Sequence, residues 1–261
     1  MPNTVYDNFI LENKIDSILT TAIDMNQYMT IDNSLTQSAG MTKTVHTYKA
    51  TGSVQDVAEG AGNTTSIEAG YTSADYDVIT TQGRFVYSDE AAMKDPTLVD
   101  VGIQGMTDTM TNDLTAKAIA EFEKATLITY SNTWNFANFV DAIAAYPYES
   151  EDGLTFLINP AQKAAIRKNL DDDLKYSEGF ARTGYIGSVC GVPVVTSKAV
   201  PAGTVYLVSA KAVTCFVKKG VEVEQDRDMN TRTNTVYGRK VMVIALTDAS
   251  RVVKMVATAE G

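Results

Sequence analysis

The chain has 261 residues, 44% of them apolar, enough to bury a sizeable core in one large domain or two small ones. Its 22 Lys and Arg face 32 Asp and Glu, a formal net charge of −10. That balance argues against tight DNA binding, which needs clustered cations on the phosphates, and leaves only weak, non-specific contact; no run approaches the ~20 apolar residues of a membrane helix, so no membrane partner is expected.

Residues 1–10 show no basic region followed by an apolar core. Cys190 and Cys215 are too few for a disulfide framework. Both features fit a chain folded in a reducing cytosol. Residues 1–40 form a polar lead-in. Within it Leu11, Ile15, Ile18, Ala22 and Met25 recur at helical steps of three and four. Thr and Asn dominate residues 30–40, which reads as an arm rather than a packed element.

Residues 41–87 predict two extended arms around the turn-forming run Ala58-Glu59-Gly60-Ala61-Gly62-Asn63. Few residues of this long hairpin can build a core, so it needs a partner surface. Ser88 is placed to cap a short turn through Met93. Asp95, followed by Pro96, then opens a long helix. Its stripe is Val99, Ile103, Met106, Met110, Leu114, Ala118 and Phe122, and its expected length is roughly 45 Å. Gly102 and Gly105 in its first turns suggest a bend or close packing.

Residues 131–217 read as a compact α/β unit. It begins with a helix over 134–146 that turns Phe136, Phe139, Val140 and Ile143 inward, then a buried strand over 154–158. A second helix opens at Asn159-Pro160 and ends near Leu170, with Asp171-Asp172-Asp173 in solvent. Strands follow over 192–196 and 204–208, joined by Pro201-Ala202-Gly203. Two long extended runs, 212–226 and 235–247, flank a polar connector from Asp226 to Asn234, and a strand over 251–257 closes the chain.

No catalytic, cofactor-binding or metal residue is assigned. His46 lies in a predicted strand, and no Gly-x-Ser-x-Gly elbow accompanies it. Cys190 and Cys215 lack zinc-site spacing; Cys190 reads as a small buried hydrophobe. Gly184-Tyr185-Ile186-Gly187 precedes a strand rather than a helix, unlike a phosphate cradle. The Asp171–Asp173 run lacks the alternating ligands of a calcium loop.

The order of elements resembles the Hong Kong 97 fold of tailed-phage major capsid proteins. Three stretches carry the likeness: Gln82-Gly83-Arg84-Phe85-Val86-Tyr87-Ser88-Asp89-Glu90; Gly191-Val192-Pro193-Val194-Val195-Thr196-Ser197 with Pro201-Ala202-Gly203-Thr204; and Val221-Glu222-Val223-Glu224 with Asp226-Arg227-Asp228. The resemblance implies an α+β capsid fold in four parts. These are an N-terminal arm (1–40), an extended loop (41–87), a peripheral domain with the spine helix and long strands (88–130 and 216–246), and an axial α/β domain (131–215 and 247–261).

It implies a non-enzymatic subunit without cofactors that self-assembles into pentamers and hexamers. They would form an icosahedral head around double-stranded DNA, built in the host cytoplasm. Expected partners are further copies, a portal, and scaffold or decoration proteins. Intersubunit contacts are expected at Glu59 on the hairpin tip and at Asp226, Arg227, Asp228, Arg232 and Asn234. There the alternating signs let an Arg meet a neighbour's Asp. No cleaved scaffolding segment is obvious, and the hairpin tip has no Lys for a cross-link, only Lys43 and Lys49 near its base. The competing readings are an encapsulin-type nanocompartment, with residues 8–28 as a cargo helix, and a small α/β enzyme with a pocket beside residues 154–196.

Overall fold

The computed structural model describes residues 24–95, 97–131, 134–150, 153–173 and 188–257. The amphipathic segment near the start of the chain falls almost wholly outside these residues. Two sheets organise the rest. A four-stranded sheet runs in the order β1 (Thr30–Asp32), β10 (Val213–Asp228), β11 (Thr233–Leu246) and β4 (Ile79–Ser88). A six-stranded mixed sheet runs β5 (Leu127–Ser131), β12 (Val252–Ala257), β9 (Thr204–Ser209), β6 (Leu154–Ile158), β8 (Val192–Thr196), β7 (Ser188–Val189). A separate hairpin pairs β2 (Thr42–Thr51) with β3 (Glu68–Asp77).

After the short helix α1 (Asp89–Lys94), capped by the Ser88 side chain, comes the long helix α2 (Leu98–Phe122). Every residue of its expected stripe is buried. Each large apolar side chain buried there contributes about 1.5–3 kcal/mol relative to exposure. Its 25 residues span about 37 Å, less than the sequence suggested. The helix starts late: the Asp95 carboxylate accepts the Thr97 N–H at 2.9 Å, and the Leu98 N–H bonds to the Asp95 carbonyl at 3.2 Å. Pro96 lies outside the described residues. Of the two glycines, Gly102 is the packed one: a Cβ there would overlap the Phe85 ring of β4, whereas a Cβ on Gly105 meets nothing within 4 Å.

Helix α3 (Phe136–Ala144) and helix α4 (Pro160–Asp173) accompany the six-stranded sheet. Phe139 is buried as expected, but Val140 is 39% exposed. It follows Phe139 by one residue, about 100° round the helix, and so leaves the apolar face. Helix α4 continues to Asp173, past the expected stop near Leu170. Strands β8 and β9, joined by the Pro201 turn, are not neighbours; both flank β6, one parallel and one antiparallel.

Three sequence expectations are corrected. The segment 30–40 is not a free arm: β1 pairs with β10, and Met29 and Leu35 are buried in two different core clusters. The hairpin ends at Asp77. Beyond the buried Val78, β4 leaves it and pairs with β11 along its whole length, from Ile79↔Met242 to Ser88↔Thr233. Finally, the connector is only the four residues 229–232, because Asp226, Arg227 and Asp228 remain in the β10 ladder opposite Thr235, Asn234 and Thr233.

Candidate intersubunit surface

The hairpin is anchored at its base and bare beyond it. Val45 is the buried residue of its two strands, packed with Leu35, Val78, Phe216, Val243 and Ala245. The Val78 N–H bonds to the Met41 carbonyl at 2.7 Å, Lys43 Nζ lies 4.6 Å over the Phe216 ring, and the Tyr76 hydroxyl reaches the Leu246 carbonyl at 3.5 Å. Ten cross-strand pairs then run from Thr42↔Asp77 to Thr51↔Glu68, about 30 Å at the rise of a strand.

On one face of this ladder Tyr48 stands opposite Tyr71 with rings 6.0 Å apart, and His46 meets Tyr71 edge-on at 5.3 Å. Tyr48 is 76% exposed and Tyr71 66%. The tip, residues 52–67, holds itself by small bonds: Ala61 N–H to Ala58 carbonyl, and Thr64 N–H to the Gln55 side chain. It exposes Val54, Ile67 and Glu59. A two-stranded ribbon this bare has little of its own to offset the entropy of ordering it.

The second surface is the turn between β10 and β11. Here the structure divides the residues singled out by sequence. Arg227 Nη2 donates to Asp89 Oδ2 and Asn234 Nδ2 to Asp89 Oδ1, both at 2.6 Å, while the Asp89 N–H bonds to the Arg232 carbonyl. The Asn234 amide and the Arg227 guanidinium hold the Asp89 carboxyl below its ordinary range. Asp228 Oδ1 accepts the Asn230 N–H at 2.8 Å, a side-chain turn that keeps its carboxyl low as well. Arg227, Asp228 and Asn234 therefore fasten their own subunit. Asp226, Arg232 and the 83% exposed Met229 face solvent. Arg232 adopts a left-handed φ of 51°, which fixes the turn's shape. Glu59 is not brought to this cluster; it sits on the separate hairpin tip.

Sequence reasoning missed the joint between α2 and the six-stranded sheet. Glu123, just past the end of α2, accepts from the Tyr206 hydroxyl of β9 and from the Lys254 ammonium of β12. Burial opposes the Glu123 charge, yet the Lys254 and Tyr206 bonds outweigh it and hold its carboxyl below the usual value. Burial first, and then the neighbouring Glu123, push the Tyr206 phenol up. Cys190 corrects another expectation: it is exposed, on a two-residue turn with Gly191 where both φ are positive (50° and 86°). Cys215 is buried. Among the described residues no group of three or more His, Cys, Asp or Glu could hold a metal ion, and no helix is long and apolar enough to cross a membrane.

Solved structures share this architecture. It matches the capsid of a native GTA particle (TM-score 0.71, 14% identity, 91% of each chain) and the mature capsid of bacteriophage PhiM1 (TM-score 0.66, 13% identity, 91% of this chain and 87% of that one). It also matches a virus-like particle from Pyrococcus furiosus (TM-score 0.62, 11% identity, 93% and 98%). The mixed α/β fold is thus one shared with the subunits of capsids and particles. Residues 70–255 match the phage capsid protein family, and the chain belongs to that family. A major capsid protein of Staphylococcus phage phiMR11 is 27% identical over 118 residues, 44% of this chain; the match spans 43% of that relative's length. The family match favours a phage capsid over the nanocompartment reading.

Proposed function

We propose that this protein is the major capsid protein of a tailed phage, a non-catalytic subunit whose copies close into an icosahedral head around double-stranded DNA. The observation that carries the reading is the hairpin β2–β3. It projects about 30 Å with Val45 as its buried residue and with Tyr48, Tyr71, Val54 and Ile67 bare. Exposed apolar surface of this kind marks an interaction site. In a shell of identical copies, each subunit supplies the cover for the next.

The four-part division follows from the same reading. The part before residue 41 is the arm, docked on the four-stranded sheet through β1, and the β2–β3 hairpin is the extended loop. Helix α2 with the four-stranded sheet makes the peripheral domain, and the six-stranded sheet with α3 and α4 makes the axial domain. Asp226, Arg232 and Met229, the outward residues of the β10–β11 turn, are the intersubunit candidates there, joined by Glu59 on the loop. The net charge of −10 suits a wall that leaves packaged DNA mobile. Pentamers and hexamers, a portal, scaffold or decoration proteins, assembly in the host cytoplasm and residence in the virion complete the proposal. Negative-stain microscopy of the purified protein tests it: closed shells of uniform size are expected, and a protein that stays monomeric at high concentration with its scaffold supplied contradicts it.

A further inference from the structure

At the root of the hairpin a cavity of about 280 Å³ lies among the end of β3, the start of β4, the last turns of α2 and β11. That volume is near the lower end of small-ligand sites, about 300 Å³. Ile79, Ala120, Met242 and Ile244 give it apolar wall, and Asp75, Asp77 and Glu121 give it carboxylates. Glu121 is only 9% exposed; one of its oxygens holds Lys124 at 2.6 Å, while Oε2 is buried with no hydrogen-bond partner. A charged oxygen buried without a partner is costly, and such an atom points to a ligand. Rotation about χ3, which is soft in Glu, turns it toward the cavity.

The other charges around the cavity do not balance. Asp75 and Asp77 each accept one threonine hydroxyl, from Thr44 at 2.6 Å and from Thr42 at 3.0 Å, and neither forms an ion pair among the described residues. Lys117, the cation of the lining, is held by Asp113 at 2.5 Å and donates to the Thr81 hydroxyl at 2.8 Å. Lys124 lies over the Tyr76 ring, 5.2 Å from its centroid. Asp75, Asp77, Asp113 and Glu121 thus face Lys117 and Lys124, and two of the four negative charges are left over.

We propose that this cavity binds a free aliphatic diamine, two protonated amines joined by a short methylene chain. Three features select that class. The charge left over is two. It is also dispersed: among the described residues no three acidic groups are placed to hold a metal ion, so separated ammonium groups meet it where one compact ion does not. Finally, the rest of the wall is apolar. It suits methylene groups, as apolar surface suits a lysine stem, and does not suit a magnesium ion that keeps its water. A lysine side chain from another molecule would bring the methylenes but only one charge. The bound diamine ties the hairpin root on β3 to α2, reinforcing the contact of Lys124 with Tyr76.

The test uses the full, unassembled chain, so its outcome does not depend on shell formation. Diaminobutane is titrated by calorimetry, and the denaturation midpoint is followed in parallel, with aminobutane and magnesium chloride as controls at matched ionic strength. Diaminobutane should bind saturably and raise the midpoint, because a ligand of the native state stabilises it. Aminobutane should bind about tenfold more weakly, and magnesium chloride should give no saturable shift. Glu121→Gln and Asp77→Asn should each weaken diaminobutane binding by about tenfold. Asp77 is exposed, so its variant reads the site even where Glu121→Gln impairs folding. Asp108→Asn, on the exposed face of α2 and outside the lining, should bind like the parent. Equal affinity for diaminobutane and aminobutane, a midpoint shift reproduced by magnesium chloride, or parental affinity in either folded site variant overturns the proposal.

Discussion

Gly102 and Gly105 lie one turn apart on the same helix, yet alanine should act on them in opposite directions. Both substitutions gain the same helix propensity, about 1 kcal/mol relative to glycine. At Gly105 the new methyl group enters open space, so Gly105→Ala should stabilise the subunit by about that amount. At Gly102 the methyl overlaps three atoms of the Phe85 ring, and ring or helix must shift. Overpacking of this kind costs about 1–3 kcal/mol, so Gly102→Ala should be destabilising by roughly 0–2 kcal/mol net. Because propensity cancels between the two variants, their difference isolates the clash, about 1–3 kcal/mol. The assay is urea denaturation of the unassembled subunit. A cycle completes it: with Phe85→Ala already in place, Gly102→Ala should become stabilising, like Gly105→Ala. Equal stabilisation at both positions in the parent would refute the close approach of α2 to β4.

Glu123→Gln should cost about 1–2 kcal/mol, the value of a charged hydrogen bond reduced for partial exposure. Because the folded Glu123 carboxyl is held below its unfolded value, its stabilisation is present above about pH 4.5 and lost as pH falls through the folded pKa. The denaturation midpoint of the Gln variant should therefore lack that acid-side decline, and identical pH profiles would contradict a stabilising role for the Glu123 joint. Arg232→Asp should spare subunit folding and weaken assembly more at low salt than at high, because screening acts on exposed pairs. Arg227→Asp should also lower subunit stability through its lost Asp89 partner; equal effects on folding from both changes would contradict the division of that turn. A thiol reagent should modify Cys190 rapidly in the native unassembled subunit and Cys215 only on unfolding, since Cys215 is buried and burial pushes its thiol up. Two fast thiols would contradict the burial of Cys215.

The long helix was legible because its stripe repeats at the helical period with nothing local competing, and the strands because their β-branched runs are bounded by turn residues. Pairing partners were less legible. The extended residues 75–87 form one pattern, but only the buried Val78, bonded to Met41, separates the part that pairs in the hairpin from the part that joins β11. The Asp, Arg and Asn around residue 230 favour turns locally, yet ladder bonds to the opposite strand keep most of them extended. Residues 30–40 look like a polar arm because a few buried side chains, such as Leu35, anchor an otherwise hydrophilic segment. Of the candidate contact residues around residue 230, the sequence could not tell which charges face inward, because Asp89 lies 138 positions from Arg227. The Glu123 joint had no local signal at all: its partners lie 83 and 131 residues away.

A hairpin without a core of its own is, on the proposed function, completed by another copy. Replacing residues 52–67 by an Asn-Gly turn tests it most directly, since the cut keeps every pair of the β2–β3 ladder. Microscopy of parent and variant, prepared alike, reads the outcome. The variant should fold, with unchanged denaturation of the remaining structure, and form no shells; normal shells from the shortened chain would show that the hairpin tip is not needed for assembly.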